Sequence, residues 1–494
     1  MDMTAPSVIS LELNEAELYL LQKFVAAGKL PHFRRMLEDG VLLQTCIPGW
    51  DPGAEDAWFE ISPWVIWPTI YTGMLPKEHG LVAFGQDTSS IQGRCVWDVL
   101  DAAGIETGVL GNLMSFPPRS VGSARFYVPE SLANNADCFP EWARPVQELC
   151  IYAARNYTEP FARKAFTASR LLLRSIAGGV RAGTALRTLA QVPLELILGD
   201  RWVAERALLH SRIQVDAFKR LYARYRPAFA TLHLNHVAYM QHRYWRALEP
   251  ERYRDELSPV DRRSFKTVED CRRYERKFAH WIERSFVYSD EILGDLMQLI
   301  DAQTILMVGS GLGQRPYDPV DEIHIELVRL THGRELFGAI GLPRIEVLPQ
   351  MSSYLTANLP DEALAVKAVE ILSGLYVNPG EPLFSIERRG AQLLMDLINP
   401  RRESSGELPP IRHLALPAFR APANRYISEP QEKCQSTAHH QDAGFVLAWS
   451  RGRRLRLERP LASVTEIAPT VLSWFGLPAS PWMEAGSPPA IQLT

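Results

Sequence analysis

Residues 7–13, SVISLEL, form a nearly continuous apolar and β-branched run, the pattern of a buried strand. The period changes in NEAELYLLQKFVAAGKLPHF, where Leu18, Leu21, Phe24 and Val25 share one helical face and Gly28 is placed to stop the helix. VWDVLDAAGIETGVLGNL (96–113) repeats this logic as a helix, a turn at Gly104 and a strand. PAFATLHLNHV (227–237) and TILMVGSG (304–311) are two further strand-like runs. Such alternation predicts an α/β fold whose sheet carries helices on both faces.

Two stretches break the alternation. Residues 140–226 are Arg- and Ala-rich with helical periodicity and predict an all-helical insertion. Its arginines either simply face water or make it a basic lid over an acidic substrate or near a membrane surface. Residues 343–400 predict a small α+β insertion of βαβ type, in which DEALAVKAVEILSGLYV is a helix and PLFSIERRGAQLLMDLI a strand followed by a helix. The Pro-, Ser- and Arg-rich stretch 401–438 predicts a linker. The expected organisation is therefore core in 1–139, helical cap in 140–226, core in 227–342, the small insertion in 343–400, then linker and core in 401–494.

Composition narrows the class. With 46% hydrophobic and 22% charged residues, the 494-residue chain reads as globular, large enough for a core with insertions. A net charge of −4 gives no general attraction to nucleic acid or to an anionic membrane, and no nucleic acid is expected as a partner. No run approaches the roughly 18 apolar residues of a membrane span. The N-terminus lacks the basic and apolar regions of a signal peptide. The six cysteines form no CxxC pair, which fits free thiols in a reducing cytoplasm, the expected location. A homo-oligomer is compatible with all of this.

The densest motif is SPWVIWPTIYTGMLPKEHGL (62–81). Ser62 and Pro63 predict a helix start and Gly73 its stop. The positive end of such a helix suits an anion, and Ser62 sits beside N–H groups able to stabilise one. Thr69, two turns on, is the competing hydroxyl. Trp64 and Trp67 share a helical face and serve either as core or as a wall of a substrate pocket. Glu12, Asn14 and Glu15 follow the first strand, at the edge where ligands of open α/β sheets bind; they offer a base or a ligand, or else Asn14 is an N-cap and Glu15 a first-turn acid. Asn235 and His236 end another strand and can line the same crevice, as can Ser310 in GSGLGQ (309–314). That loop lacks the residues of a P-loop but lets backbone approach closely.

Four stretches, in order, resemble the alkaline phosphatase superfamily, and within it the type I phosphodiesterase/nucleotide pyrophosphatase enzymes: AAGKLPHFRRMLEDGVL (26–42), TGMLPKEHGL (72–81), HRYW (242–245) and IAPTVLSWFGLPASPWMEAG (467–486). The resemblance implies a central, mostly parallel sheet with helices on both faces. It also implies attack on phosphorus by a Thr or Ser at a helix N-terminus beside two metal ions about 4 Å apart. Matched residue by residue, the family's first-strand Asp falls at Glu12 and its nucleophile at Pro63, with Ser62 adjacent. The Asp four residues before the metal histidine falls at Ala238, while His242 is present. The Ser-Asp-His-Gly loop becomes Val308-Gly309-Ser310-Gly311, and the last histidine has two candidates, His439 and His440.

An intact two-metal site is therefore not expected. ELNE (12–15), PWVIW (63–67) and the paired histidines resemble a divergent branch of the superfamily. At most one divalent metal, zinc or manganese, is expected, from His242, His439 or His440, and Asp442 or Glu12. Adjacent histidines on a strand point to opposite faces, so only one would be a ligand. The expected activity is hydrolysis or transfer of a phosphate or related ester on a small anionic substrate, with Ser62 as nucleophile or anion binder. The alternatives are a silent member that binds an anionic ligand or a protein partner, and a structural partner that assembles through its insertions.

Overall fold

The computed structural model describes residues 6–50, 61–120, 122–155, 161–198, 204–259, 261–317, 328–349, 353–401, 407–428, 436–484 and 489–494. The continuous apolar run at the start forms β1 (Ser7–Leu13), followed by α1 (Leu18–Ala26), α2 (Pro31–Asp39) and β2 (Val41–Cys46). Next come α3 (Pro63–Thr72), α4 (Pro76–His79), α5 (Val96–Ala102), β3 (Thr107–Leu110) and β4 (Ala124–Val128). The Arg- and Ala-rich stretch folds as α6 (Arg144–Arg155), α7 (Phe161–Ser175), α8 (Ala182–Leu198) and α9 (Glu205–Tyr225). The chain then returns to the sheet with β5 (Phe229–Leu234), α10 (His236–Leu248), α11 (Asp261–Ser264), α12 (Val268–Arg276), α13 (Trp281–Leu299), β6 (Thr304–Ser310) and β7 (Gly313–Pro316).

The main sheet has eight strands in the order Leu461–Ser463, β2, Gly444–Ser450, β6, β1, β5, β3, β4. Every neighbouring pair is parallel except the two made by Gly444–Ser450. Central strand β1 pairs with β5 and β6, and its side chains alternate between the two faces. Ile9, Leu11 and Leu13 join one apolar cluster with Phe33, Trp245 and Phe286. Val8 joins a second cluster with Ile66, Tyr71 and Trp97. Ser10 and Glu12 share the face of Val8, so Glu12 lies beneath α3.

A third cluster runs from Val328 to Ile427. Its sheet corrects two expectations. QLLMDL, within the predicted second helix, is the strand Gln392–Leu397, paired with Phe384–Arg389 across a turn at Gly390 (φ +59°) and with Tyr354–Asn358 on its other side. All its strand pairs are antiparallel, so it is no βαβ unit. The expected linker carries the antiparallel strands Ile411–His413 and Leu416–Ala421.

Two buried histidines tie helices to this frame in neutral form. His79 Nδ1 accepts from the Leu81 N–H and its Nε2 lies 3.0 Å from Thr69 Oγ1, which itself donates to the Val65 carbonyl. His236 Nε2 lies 2.9 Å from Ser289 Oγ, whose proton goes to the Ser285 carbonyl. Burial pushes their pKa values down to about 4 for His79 and about 3 for His236. Unfolding releases histidines that titrate near 6.5, so below that pH the unfolded chain binds more protons. The stability these two histidines contribute is therefore complete above about pH 6.5 and is expected to fall by about 2.7 kcal/mol per pH unit down to about pH 4. Urea denaturation at a series of pH values measures the slope, and His79→Gln should reduce it by about 1.4 kcal/mol per pH unit.

Candidate metal and anion site

Beyond the carboxyl end of β1 the chain turns sharply, and Glu15 adopts a left-handed backbone (φ +56°), a strained state for a residue with a side chain. Side chains from other elements hold it there. Gln241 of α10 donates from Nε2 to the Glu15 carbonyl (2.7 Å) and accepts the Glu17 N–H (3.1 Å). The helix cap is Glu17, which accepts the Tyr19 N–H, and not Asn14 as expected. Asn14 donates to Glu15 Oε1 (2.9 Å) and to Asn235 Oδ1 (2.7 Å), and accepts from Trp67 Nε1 (2.8 Å).

The other carboxylate oxygen of Glu15 is the focus of the site. Gln314 Nε2 donates to Oε2 at 2.5 Å, His242 Nε2 lies 2.8 Å from it and His440 Nε2 3.1 Å. Among the described residues these three acid and imidazole groups form the one cluster with metal-ligand spacing. His439 and Asp442 are outside it. His440 lies on the strand Ala438–Gln441 opposite Gln314 of β7, whereas His439 turns away against Tyr317. Burial pushes the His439 pKa down to about 4, and burial together with neighbouring Asp442 pushes the Cys46 thiol up.

Both imidazoles of the cluster are oriented the same way. His242 Nδ1 faces the Ala438 carbonyl at 2.8 Å, and His440 Nδ1 faces the Ile61 carbonyl at 2.6 Å. A carbonyl can only accept, so each Nδ1 carries a proton. Each Nε2 then presents to Glu15 either a second proton or a lone pair. Burial raises the Glu15 carboxyl, but His440 and His242 outweigh it and hold the group well below the usual carboxylate range.

Backbone stitching sets the distance between the two histidines. The Thr437 N–H donates to the His242 carbonyl (2.6 Å), and Thr437 Oγ1 accepts from the Trp245 N–H (3.1 Å). A threonine three residues before one histidine thus enters the hydrogen-bond ladder of the helix bearing the other. Glycine allows the close approach of β7: a Cβ at Gly313 would collide with the Glu17 carboxylate, and one at Gly311 with Ile70 of α3.

The start of α3 adjoins this cluster through Ile61, whose carbonyl is the partner of His440. Ser62 occupies the cap position, yet its side chain makes no capping bond. Its hydroxyl is buried with no partner among the described residues. Pro63 has no N–H to offer, and the helix ends at Gly73 in a left-handed turn (φ +65°).

The remaining expected site residues lie elsewhere. The Glu12 carboxylate is filled by Tyr71 (2.7 Å), Asn112 (3.0 Å), Thr231 (2.7 Å) and His233 (3.0 Å). Thr69 is spent on Val65 and His79, and Ser310 Oγ donates to the Leu312 carbonyl (2.7 Å). His236 packs on α13 against Tyr288. Trp64 bonds the Val82 carbonyl (3.1 Å), so only Trp67 of the pair reaches the Asn14 loop. Gln314 and Gln241 were not singled out in the sequence; the Gly-rich run before Gln314 was the available signal.

The family model for type I phosphodiesterase / nucleotide pyrophosphatase matches residues 16–369, well over half the chain. The chain belongs to that family. No curated protein matches it. Solved structures similar to this phosphodiesterase-family chain include human ectonucleotide pyrophosphatase / phosphodiesterase 5, with 12% identity and a TM-score of 0.36 over 97% of both chains. The mouse protein of that name, inactive and in complex with AMP, has 10% identity and a TM-score of 0.35 over 98% of this chain and 97% of its own. Phosphonoacetate hydrolase from Sinorhizobium meliloti, in complex with phosphonoformate, has 15% identity and a TM-score of 0.37 over 96% and 95%.

Proposed function

We propose that this phosphodiesterase-family chain hydrolyses a small phosphate ester, or transfers its phosphoryl group, at a site built from Glu15, His242, His440 and Ser62. The observation that carries this reading is the common orientation of the histidines. Both spend Nδ1 on a backbone carbonyl and aim Nε2 at one carboxylate oxygen, which is how metal-binding imidazoles are held by their outer hydrogen bonds. One carboxylate and two imidazoles fit a catalytic zinc or manganese with a coordination position left open. Such an ion supplies Lewis acidity to a phosphoryl oxygen. Ser62, buried and without a partner among the described residues at the start of α3, is the proposed nucleophile, and the dipole of α3 favours the negative charge of a bound phosphate.

A second reading has its own support. The resemblance puts the family's other Asp and His metal ligands at Ala238, Gly309 and Ser310, and Glu12 is filled by four donors. A silent member that only binds the anion would carry these changes equally well. Elemental analysis of the purified parent, His242→Ala and His440→Ala comes first. About one zinc or manganese per chain, lost in both variants, supports the metal centre. Ser62→Ala is then expected to keep the metal and lose at least about a thousandfold in phosphodiester turnover. Turnover unchanged in Ser62→Ala removes the nucleophile assignment, and binding of AMP without turnover in the parent favours the silent reading.

The location we propose is the cytoplasm: the five described cysteines are free thiols, and among the described residues no helix is long and apolar enough to cross a membrane.

A further inference from the structure

The helical insertion has an outer surface of unusual composition. On α7 the exposed positions Phe166, Arg170, Leu173 and Arg174 recur at helical spacing, and on α8 the exposed large residues are Leu186, Arg187 and Leu194. Every other exposed position described in these two helices is alanine, glycine or proline. Among the described residues no acid, amide or hydroxyl residue is exposed there, although exposed helix faces normally mix both charges and polar groups. Phe166 is 72% exposed, Leu186 67% and Leu173 57%, so these are not rim residues of a core. The sequence of α7, FARKAFTASRLLLRS, has four basic residues and no acidic one, in a chain whose net charge is −4.

We propose that the outer face of α7 and α8 lies on the surface of a bilayer containing anionic lipid. Phe166, Leu173, Leu186 and Leu194 would enter the boundary between headgroups and acyl chains, and the arginines between them would take the lipid phosphates. Arg174 and Arg187 are each anchored by an acid, Glu148 (2.9 Å) and Glu205 (2.7 Å), while Arg170 has no ion pair among the described residues. A guanidinium held by one acid still has N–H donors for a phosphate.

Charge selects this occupant over others. A second copy docking the same face about a twofold axis would set arginines against arginines. Nucleic acid would use the arginines but leave three strongly exposed aliphatic and aromatic side chains without a role. Neither described helix is apolar enough to span a membrane, so the contact is peripheral. The proposal stands independently of the metal site.

Co-sedimentation of the full chain with phosphatidylcholine vesicles, with and without phosphatidylglycerol, tests it. The parent is expected to pellet with the phosphatidylglycerol vesicles and to be released by salt. Phe166→Ser combined with Leu173→Ser should weaken binding on the order of tenfold or more. Arg170→Gln should weaken it about fivefold and flatten its salt dependence. Unchanged circular dichroism and melting would show the variants folded; should the double variant misfold, Leu186→Ser and Arg170→Gln carry the test. A parent that stays in the supernatant, or folded variants that pellet as well as the parent, overturn the proposal. So does a parent that ignores vesicles but changes oligomeric state in Leu173→Ser, which would make the face a protein interface.

Discussion

Glu15→Gln is expected to lose metal and turnover together. Glutamine keeps the size of the side chain, so Asn14, Gln241 and the turn it occupies can stay in place. What disappears is the negative charge at the oxygen shared by His242, His440 and Gln314. Two imidazoles remain, too few donors for a catalytic metal centre. The affinity loss should exceed the roughly 10–100-fold that removal of an outer hydrogen-bond partner costs. Zinc titration calorimetry on metal-stripped parent and variant measures this directly. A Glu15→Gln protein holding zinc as tightly as the parent would move the metal, and the proposed chemistry, elsewhere.

Arg246→Ala should give the largest loss of stability. Arg246 lies one turn beyond His242 in α10, and its guanidinium contacts Glu275 (2.6 Å), Asp261 (3.1 Å) and the Cys271 sulfur (3.1 Å). All four residues are buried. Burial already pushes the Glu275 carboxyl above its ordinary value despite Arg246. Without the arginine two buried carboxyl groups face each other without the cation they share, Glu275 keeping only the weaker pull of Arg272, a change that costs about 3–5 kcal/mol. Urea denaturation of parent and variant measures it. Adding Asp261→Asn and Glu275→Gln should recover part of the loss, because no buried charge is then unpaired. Equal stability of parent and Arg246→Ala would mean that α11 and α12 do not fold as one unit with α10.

Local rules carried the sequence reading where they were strong. The buried strand at 7–13, the helix bounded by Ser62-Pro63 and Gly73, and the alternation of strands and helices all correspond to observed elements. They fail where two periods fit equally well. In QLLMDL, Leu393, Leu394, Met395 and Leu397 suit a helix or a strand, and pairing with neighbouring strands decides. The site divides the same way. His242 and one of two adjacent histidines were legible, and strand alternation separates His440 from His439. The carboxylate that meets them was not: Glu12 and Glu15 are three residues apart, and only the left-handed turn sends Glu12 beneath α3 and Glu15 to the histidines. The same turn moved the cap from Asn14 to Glu17. Gln314 and Gln241 reach Glu15 from β7 and α10, contacts that no local pattern encodes.

The stitch between Thr437 and α10 joins residues nearly two hundred positions apart, and the pairing of Glu15 with His440 spans still more of the chain. Contacts of such separation form slowly, because a long loop must close before they repay its entropy. During synthesis, β1, α3 and α10 would all emerge before the strand that carries His440. A growing chain therefore holds Glu15 and His242 for many seconds without their third companion, at usual elongation rates of about 5–20 residues per second. Acquisition of a metal by all three would then be one of the last events in the birth of the molecule, and a stably bound ion would mark a chain whose distant parts have met.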